Sequence, residues 1–291
     1  CRMRAAGKVA ERLDPAHRQD ISDPGIHPVA RRSRPWSPSG PIAGFPPGRP
    51  DNPAGANQVI SRKPLVLLPG LLCDSALWEP QRTGLADIAD VTVADLTRHD
   101  SIKAMAGSVL ETAPPRFCLA GLSMGGYVAL EIMRQAPDRV ERLALLDTSA
   151  RVDTAENFRR RRGLISLARM GRFKGVTPRL LPMLLHPDRL SDEGLTQLVM
   201  DMAERVGQEA FIRQQTAILG REDSRPGLSS IDCPTLVICG RQDQITPPEL
   251  SEELAAGIPQ AELFILENCG HLSSIERPDE VNAHFRRWLQ D

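Results

Sequence analysis

The 291-residue sequence lacks any apolar run near the roughly 18 uninterrupted residues that a membrane-spanning helix needs, so no membrane partner is expected. A basic excess is also missing. Its 36 Lys and Arg stand against 37 Asp and Glu, a formal net charge of -1, whereas a nucleic-acid binder needs a clear surplus to meet phosphates. No nucleic-acid partner is expected. The six cysteines, at 1, 73, 118, 233, 239 and 269, contain no CxxC pair and no His/Cys cluster at zinc spacing, so no metal site of that kind is expected. They read as free thiols of a reducing compartment, and hence of a cytoplasmic protein. Internal repeats are absent.

What is present divides near residue 60. Residues 1–60 hold ten of the 25 prolines and six of the 22 glycines, with nine Lys/Arg against five acids and no sustained apolar period. Such a segment buries too little to offset its ordering entropy, and a disordered tail is expected. Arg31-Arg32-Ser33-Arg34 is followed by Pro and Gly rather than an apolar stretch, so it reads as a solvated basic run and not an export signal. Because the chain begins with Cys, the tail is suspected to be non-native, with a native start near Val59 or Ile60. Residues 61–291 carry 27 basic and 32 acidic residues and form a mildly acidic body.

In that body short apolar runs alternate with helical stretches. Leu65–Leu68, Val91–Val93, Phe117–Ala120, Leu143–Leu146, Thr235–Ile238 and Leu263–Leu266 read as buried parallel strands. Ser101–Thr112, Met124–Gln135, Pro248–Ala256 and Pro278–Leu289 read as helices; in the last, Val281, Phe285 and Leu289 recur every four residues. The alternation predicts an α/β fold with a doubly wound, mostly parallel sheet. From about 150 to 227 no strand signal occurs. That stretch is expected to be a helical cap inserted into a core of 61–149 and 228–291, over the strand ends where open sheets keep their sites.

The run Gly121-Leu122-Ser123-Met124-Gly125-Gly126 lies between a strand and a helix. A serine on so sharp a turn is lifted off the sheet in a strained conformation, and bulky neighbours two positions away would collide; Gly121 and Gly125 meet that demand. Ser123 is therefore the candidate nucleophile. A serine hydroxyl needs a base to take its proton and a carboxylate to orient that base. Asp243 follows the strand ending at Ile238, and His271 follows the strand ending at Leu266. Asp147, after Leu143–Leu146, is a reserve acid that otherwise reads as a capping residue.

These residues resemble the α/β-hydrolase superfamily, with the likeness running from about Leu65 to Leu289. The elbow, Gly240-Arg241-Gln242-Asp243 and Cys269-Gly270-His271 are most similar to the small capped esterases and enol-lactonases. The pimeloyl-ester esterases and the carbon-carbon hydrolases of aromatic breakdown are similar as well. The resemblance implies an oxyanion hole from the backbone N–H of Met124 and that of Leu71 in Pro69-Gly70-Leu71-Leu72. Where these families carry His-Gly, this chain has Pro69-Gly70; where they carry Gly-His-Gly it has Arg98-His99-Asp100-Ser101, and His99 reads as structural.

The implied function is a serine hydrolase that cleaves a carboxylic ester of a small, mainly apolar substrate through an acyl-enzyme. It calls for no metal and no organic cofactor, and its partner is a small-molecule ester or lactone. Rivals with the same triad are an enol-lactonase, a carbon-carbon hydrolase, a thioesterase and a perhydrolase; a non-catalytic ligand-binding protein of the same fold is the rival of another class. The side chains of Leu71 and Met124, and some of Met170, Phe173, Met183, Met200, Met202 and Phe211, are expected to line an apolar pocket. Arg159–Arg162 is expected to be a solvated helix face with at most one inward residue, and His186 a turn residue. Oxidation of Cys73 or Cys269, which flank the oxyanion loop and the histidine, is a conceivable influence on activity.

Overall fold

A computed structural model describes residues 62–290. The leading segment, with the expectations of a disordered, non-native tail and a start near residue 59, lies outside the described residues. Six strands make one sheet: β1 Lys63–Leu68, β2 Ala89–Val93, β3 Phe117–Leu122, β4 Val140–Leu146, β5 Thr235–Gly240 and β6 Ala261–Leu266. Every neighbouring pair is parallel, in the order β2-β1-β3-β4-β5-β6. The apolar runs have no alternation because both faces of the central strands are covered. Leu65 and Leu67 enter the core on one face, Val66 and Leu68 the core on the other.

The described helices are α1 Glu79–Gly84, α2 Ile102–Thr112, α3 Met124–Gln135, α4 Ala155–Arg169, α5 Leu181–Leu184, α6 Glu193–Leu219, α7 Pro248–Gly257, α8 Ser273–Glu276 and α9 Pro278–Gln290. Their starts are chemically marked: Ser101, Thr154 and Asp192 accept hydrogen bonds from the backbone N–H groups of Ala104, Asn157 and Leu195. None of them is long and apolar enough to cross a membrane.

The strand order reverses at β1, which lies between β2 and β3, and open α/β sheets keep their sites beyond the carboxyl ends of the strands at such a reversal. Between β4 and β5 the chain forms only helices and turns. Its longest, α6, is broken at Gly207, whose φ of 74° and ψ of 176° only glycine adopts without strain. From this segment Ala168, Ala203 and Phe211 form a small cluster with Leu72 of the loop after β1.

Candidate active site

Ser123 ends β3 and begins α3 with φ 55° and ψ -115°, a left-handed conformation rare outside glycine. The local sequence enforces it. A Cβ on Gly121 would strike the carbonyl of Gly125, and one on Gly125 would strike the carbonyl of Leu68, so helix and strand meet closely only because both are glycine. The Ser123 N–H donates to Leu146 of β4 at 3.0 Å, and its carbonyl accepts from the Thr148 hydroxyl at 2.8 Å. These bonds span neighbouring strands and fix the turn.

The side chains of Ser123, His271 and Asp243 meet at this turn. Ser123 Oγ lies 2.9 Å from His271 Nε2, and His271 Nδ1 lies 2.8 Å from Asp243 Oδ2. Since a carboxylate only accepts, Nδ1 carries the ring proton and Nε2 is free to accept from the serine hydroxyl. Asp243 is held in turn by the N–H groups of Ile245 and Thr246 on Oδ1, at 2.8 and 3.0 Å, and by the Thr246 hydroxyl on Oδ2 at 2.7 Å. Burial works against the charge of Asp243, yet its carboxyl falls below its ordinary value because His271 and Thr246 favour the ionised form. Burial likewise works against a charged His271; the carboxylate of Asp243 outweighs it and raises the imidazole above its ordinary 6.5.

Asp147 is buried at a φ of 45° at the end of β4. Its Oδ1 accepts from the Gly240 N–H at 3.0 Å and its Oδ2 from the Ser273 N–H at 3.1 Å. The carboxyl thus ties the loop carrying Asp243 to the loop carrying His271, and makes no bond to the imidazole itself. Burial and the neighbouring charge of Asp243 push its affinity for a proton up. Asp147, Cys239 and Asp243 converge within 4.8 Å. The oxygens of both carboxyls already face N–H or O–H donors, which disfavours a cation there.

Glu276 grips the histidine loop from behind: its Oε1 accepts from the N–H groups of Gly270 and Leu272, and its Oε2 from that of His186 at 2.7 Å. His271 also donates its own N–H to Leu184 O at 2.9 Å, which anchors this loop to the segment between β4 and β5. Neither Glu276 nor Thr246 was singled out by the sequence. Thr246 had a local signal, three residues after Asp243 in an Asp-centred turn; Glu276 had none that separates it from any acid opening a helix.

The loop after β1 runs against Ser123, since a Cβ on Gly70 would lie 3.4 Å from Ser123 Cβ. Met124 is the first residue of α3, so its N–H has no acceptor within the helix. Among the described residues no acceptor meets the N–H of Leu71 either. The next residue, Leu72, is left-handed at φ 59° and donates to Gln214 Oε1 of α6 at 3.1 Å. Leu71 is half-buried, while the side chain of Met124 is fully buried in the core among Leu68 and Val128.

Several expectations sort differently. Phe173 and Phe211 pack ring to ring at 5.1 Å beside Leu72, whereas Met170 is 61% exposed. Of the four arginines only Arg161 turns inward, to Asp153 and Gln215. His186 caps the turn Pro187–Arg189. Cys73 and Cys269 are buried, and burial pushes both thiols up, Cys73 to about 12, so neither offers a reactive thiolate.

A sequence profile described as "Alpha/beta hydrolase family" matches residues 30–284, beginning inside the leading segment. A chain of Agrobacterium fabrum named as a carbamate hydrolase, RutD, is 28% identical over 244 residues, covering 77% of this chain and 92% of its own. The pimeloyl-[acyl-carrier protein] methyl ester esterase of a Neisseria meningitidis strain is 29% identical over 215 residues, covering 69% of this chain and 83% of its own. Among solved structures, the enol-lactonase of Burkholderia xenovorans LB400 superposes with a TM-score of 0.72 at 27% identity, covering 79% of this chain and 92% of that one.

Proposed function

From the premise that the chain belongs to the alpha/beta hydrolase family, we propose that it cleaves a carboxylic ester of a small, mainly apolar acyl substrate through an acyl-enzyme. Ser123 is the nucleophile, His271 the general base and Asp243 the acid that orients it. His271 Nε2 takes the hydroxyl proton as Ser123 Oγ bonds to the carbonyl carbon. The N–H groups of Leu71 and Met124 receive the developing oxyanion, each worth roughly 10²- to 10³-fold in rate. Collapse of the tetrahedral intermediate breaks the ester bond, and the leaving alkoxide takes the proton back from His271. Water then repeats the cycle on the acyl-serine and frees the acid. The helical segment 150–227 acts as the cap, and its Phe173 and Phe211, clustered with Leu72 of the loop after β1, suit an apolar acyl group.

The observation that carries this reading is the unbroken hydrogen-bonded relay from Ser123 through His271 to Asp243, at 2.9 and 2.8 Å. A second reading, an enol-lactonase, draws on the likeness to the Burkholderia enzyme and uses the same acyl chemistry on a cyclic ester. Turnover of p-nitrophenyl esters of increasing acyl length tests the first. We expect saturable hydrolysis that Ser123→Ala abolishes while the thermal melting curve stays in place. Hydrolysis retained in Ser123→Ala would assign the nucleophile elsewhere, and turnover of enol-lactones without turnover of any ester would favour the second reading.

A further inference from the structure

Between Val152 and Leu180 the sequence carries eight Lys and Arg against two acids, the reverse of the balance in residues 61–291 as a whole. Arg161 is spent on Asp153. The other seven, Arg159, Arg160, Arg162, Arg169, Arg172, Lys174 and Arg179, have no carboxylate partner among the described residues. Elsewhere most described arginines are paired: Arg82, Arg98, Arg116, Arg205 and Arg286, for example, each hold a carboxylate within 3 Å.

The same stretch collects the exposed apolar side chains. Val152, Phe158, Leu164, Leu167, Met170 and Leu180, at 36–61% exposure, are the large hydrophobics left exposed among the described residues. Leu164, Leu167 and Met170 recur every three residues along α4 and its C-cap, away from the buried Ile165 and Ala168. Exposed apolar side chains gathered in one stretch, rather than scattered singly, point to an interaction surface. Here it is interleaved with unpaired cations.

We propose that the outer face of α4 and the loop that follows it dock on an anionic lipid surface. The apolar tips enter the boundary between headgroups and acyl chains, and the guanidinium groups meet lipid phosphates. Charge decides against a two-fold contact with a second copy of this chain, which would set the same seven cations against themselves. It also decides against residues 1–60, which carry nine basic residues against five acids. The expectation of no membrane partner rested on the lack of a spanning run, which does not bear on a helix that lies in the interface. The inner side of α4 reaches the cluster of Leu72 and Phe211 through Ala168. Docking therefore brings the loop beside Ser123 close to a layer in which apolar esters concentrate.

The test is co-sedimentation of the full chain with phosphatidylcholine vesicles, with and without phosphatidylglycerol. Two surface variants are compared: Leu164→Ser/Leu167→Ser/Met170→Ser and Arg159→Gln/Arg160→Gln/Arg169→Gln. We expect binding that requires phosphatidylglycerol and weakens with salt, and a loss of about ten-fold or more in partitioning for each variant. Melting temperature and turnover of a water-soluble ester should be unchanged in both. Equal partitioning onto neutral and anionic vesicles, no binding to either, or variants that bind as well as the parent chain would each overturn the proposal. So would binding of an acidic protein at this face with no affinity for anionic vesicles.

Discussion

His271 carries an electrostatic balance that kinetics can read. Burial alone would lower its proton affinity, and the charge of Asp243 raises it above the ordinary histidine value. A general base works only when neutral, so kcat/KM should rise with pH along a limb centred above 6.5. Asp243→Asn removes the charge and leaves the burial, so it should move that limb to lower pH and cut kcat on the order of 10⁴-fold. A limb centred below 6.5 in the parent enzyme would contradict the assignment of base and acid. Gln214 offers a second test at this scale. It is fully buried, accepting from the left-handed Leu72 and donating to Leu96 O at 3.3 Å. Gln214→Leu leaves the N–H of Leu72 and the carbonyl of Leu96 without partners, at about 1–3 kcal/mol of stability per buried group. It also frees the backbone next to the Leu71 amide. We expect kcat to fall roughly ten- to hundred-fold with KM little changed; a change confined to KM would mean that Gln214 shapes only substrate binding.

At the scale of elements, the strand and helix segments were legible within a few residues because parallel β-strands buried on both faces read as unbroken apolar runs. Phe117–Ala120 extends to Leu122, and Val91–Val93 begins at Ala89, since β2 is an edge strand with only alternate residues covered. The break in α6 was not legible: Gly207 sits in Glu204-Arg205-Val206-Gly207-Gln208, where the flanking pattern stays helical. Nothing lies within 4 Å of the position a Cβ would take at Gly207, so Gly207→Ala isolates backbone strain from packing. Urea unfolding should show a loss of about 1–3 kcal/mol. An unchanged midpoint would mean that α6 closes into a continuous helix at no cost.

For the whole molecule, the sequence pattern marked Ser123, Asp243 and His271 as candidates, and the structure sets their side chains together because a parallel sheet delivers the carboxyl end of each strand to one edge. Their partners were hidden because the contacts join distant parts of the chain. Leu72 and Gln214 are 142 positions apart, and His186 and Glu276 are 90 apart. Asp147 shows the same limit. As a residue after a strand it was a fair reserve acid, and only the fold assigns its two oxygens to Gly240 and Ser273 rather than to the imidazole.

The relay at Ser123 is tested most directly by a fluorophosphonate probe followed by peptide mass mapping of the parent chain and of His271→Ala. The account predicts one modified residue, Ser123, and labelling slowed by about 10³-fold or more without the base. Label on any other residue, or equally fast labelling of Ser123 in His271→Ala, would contradict it.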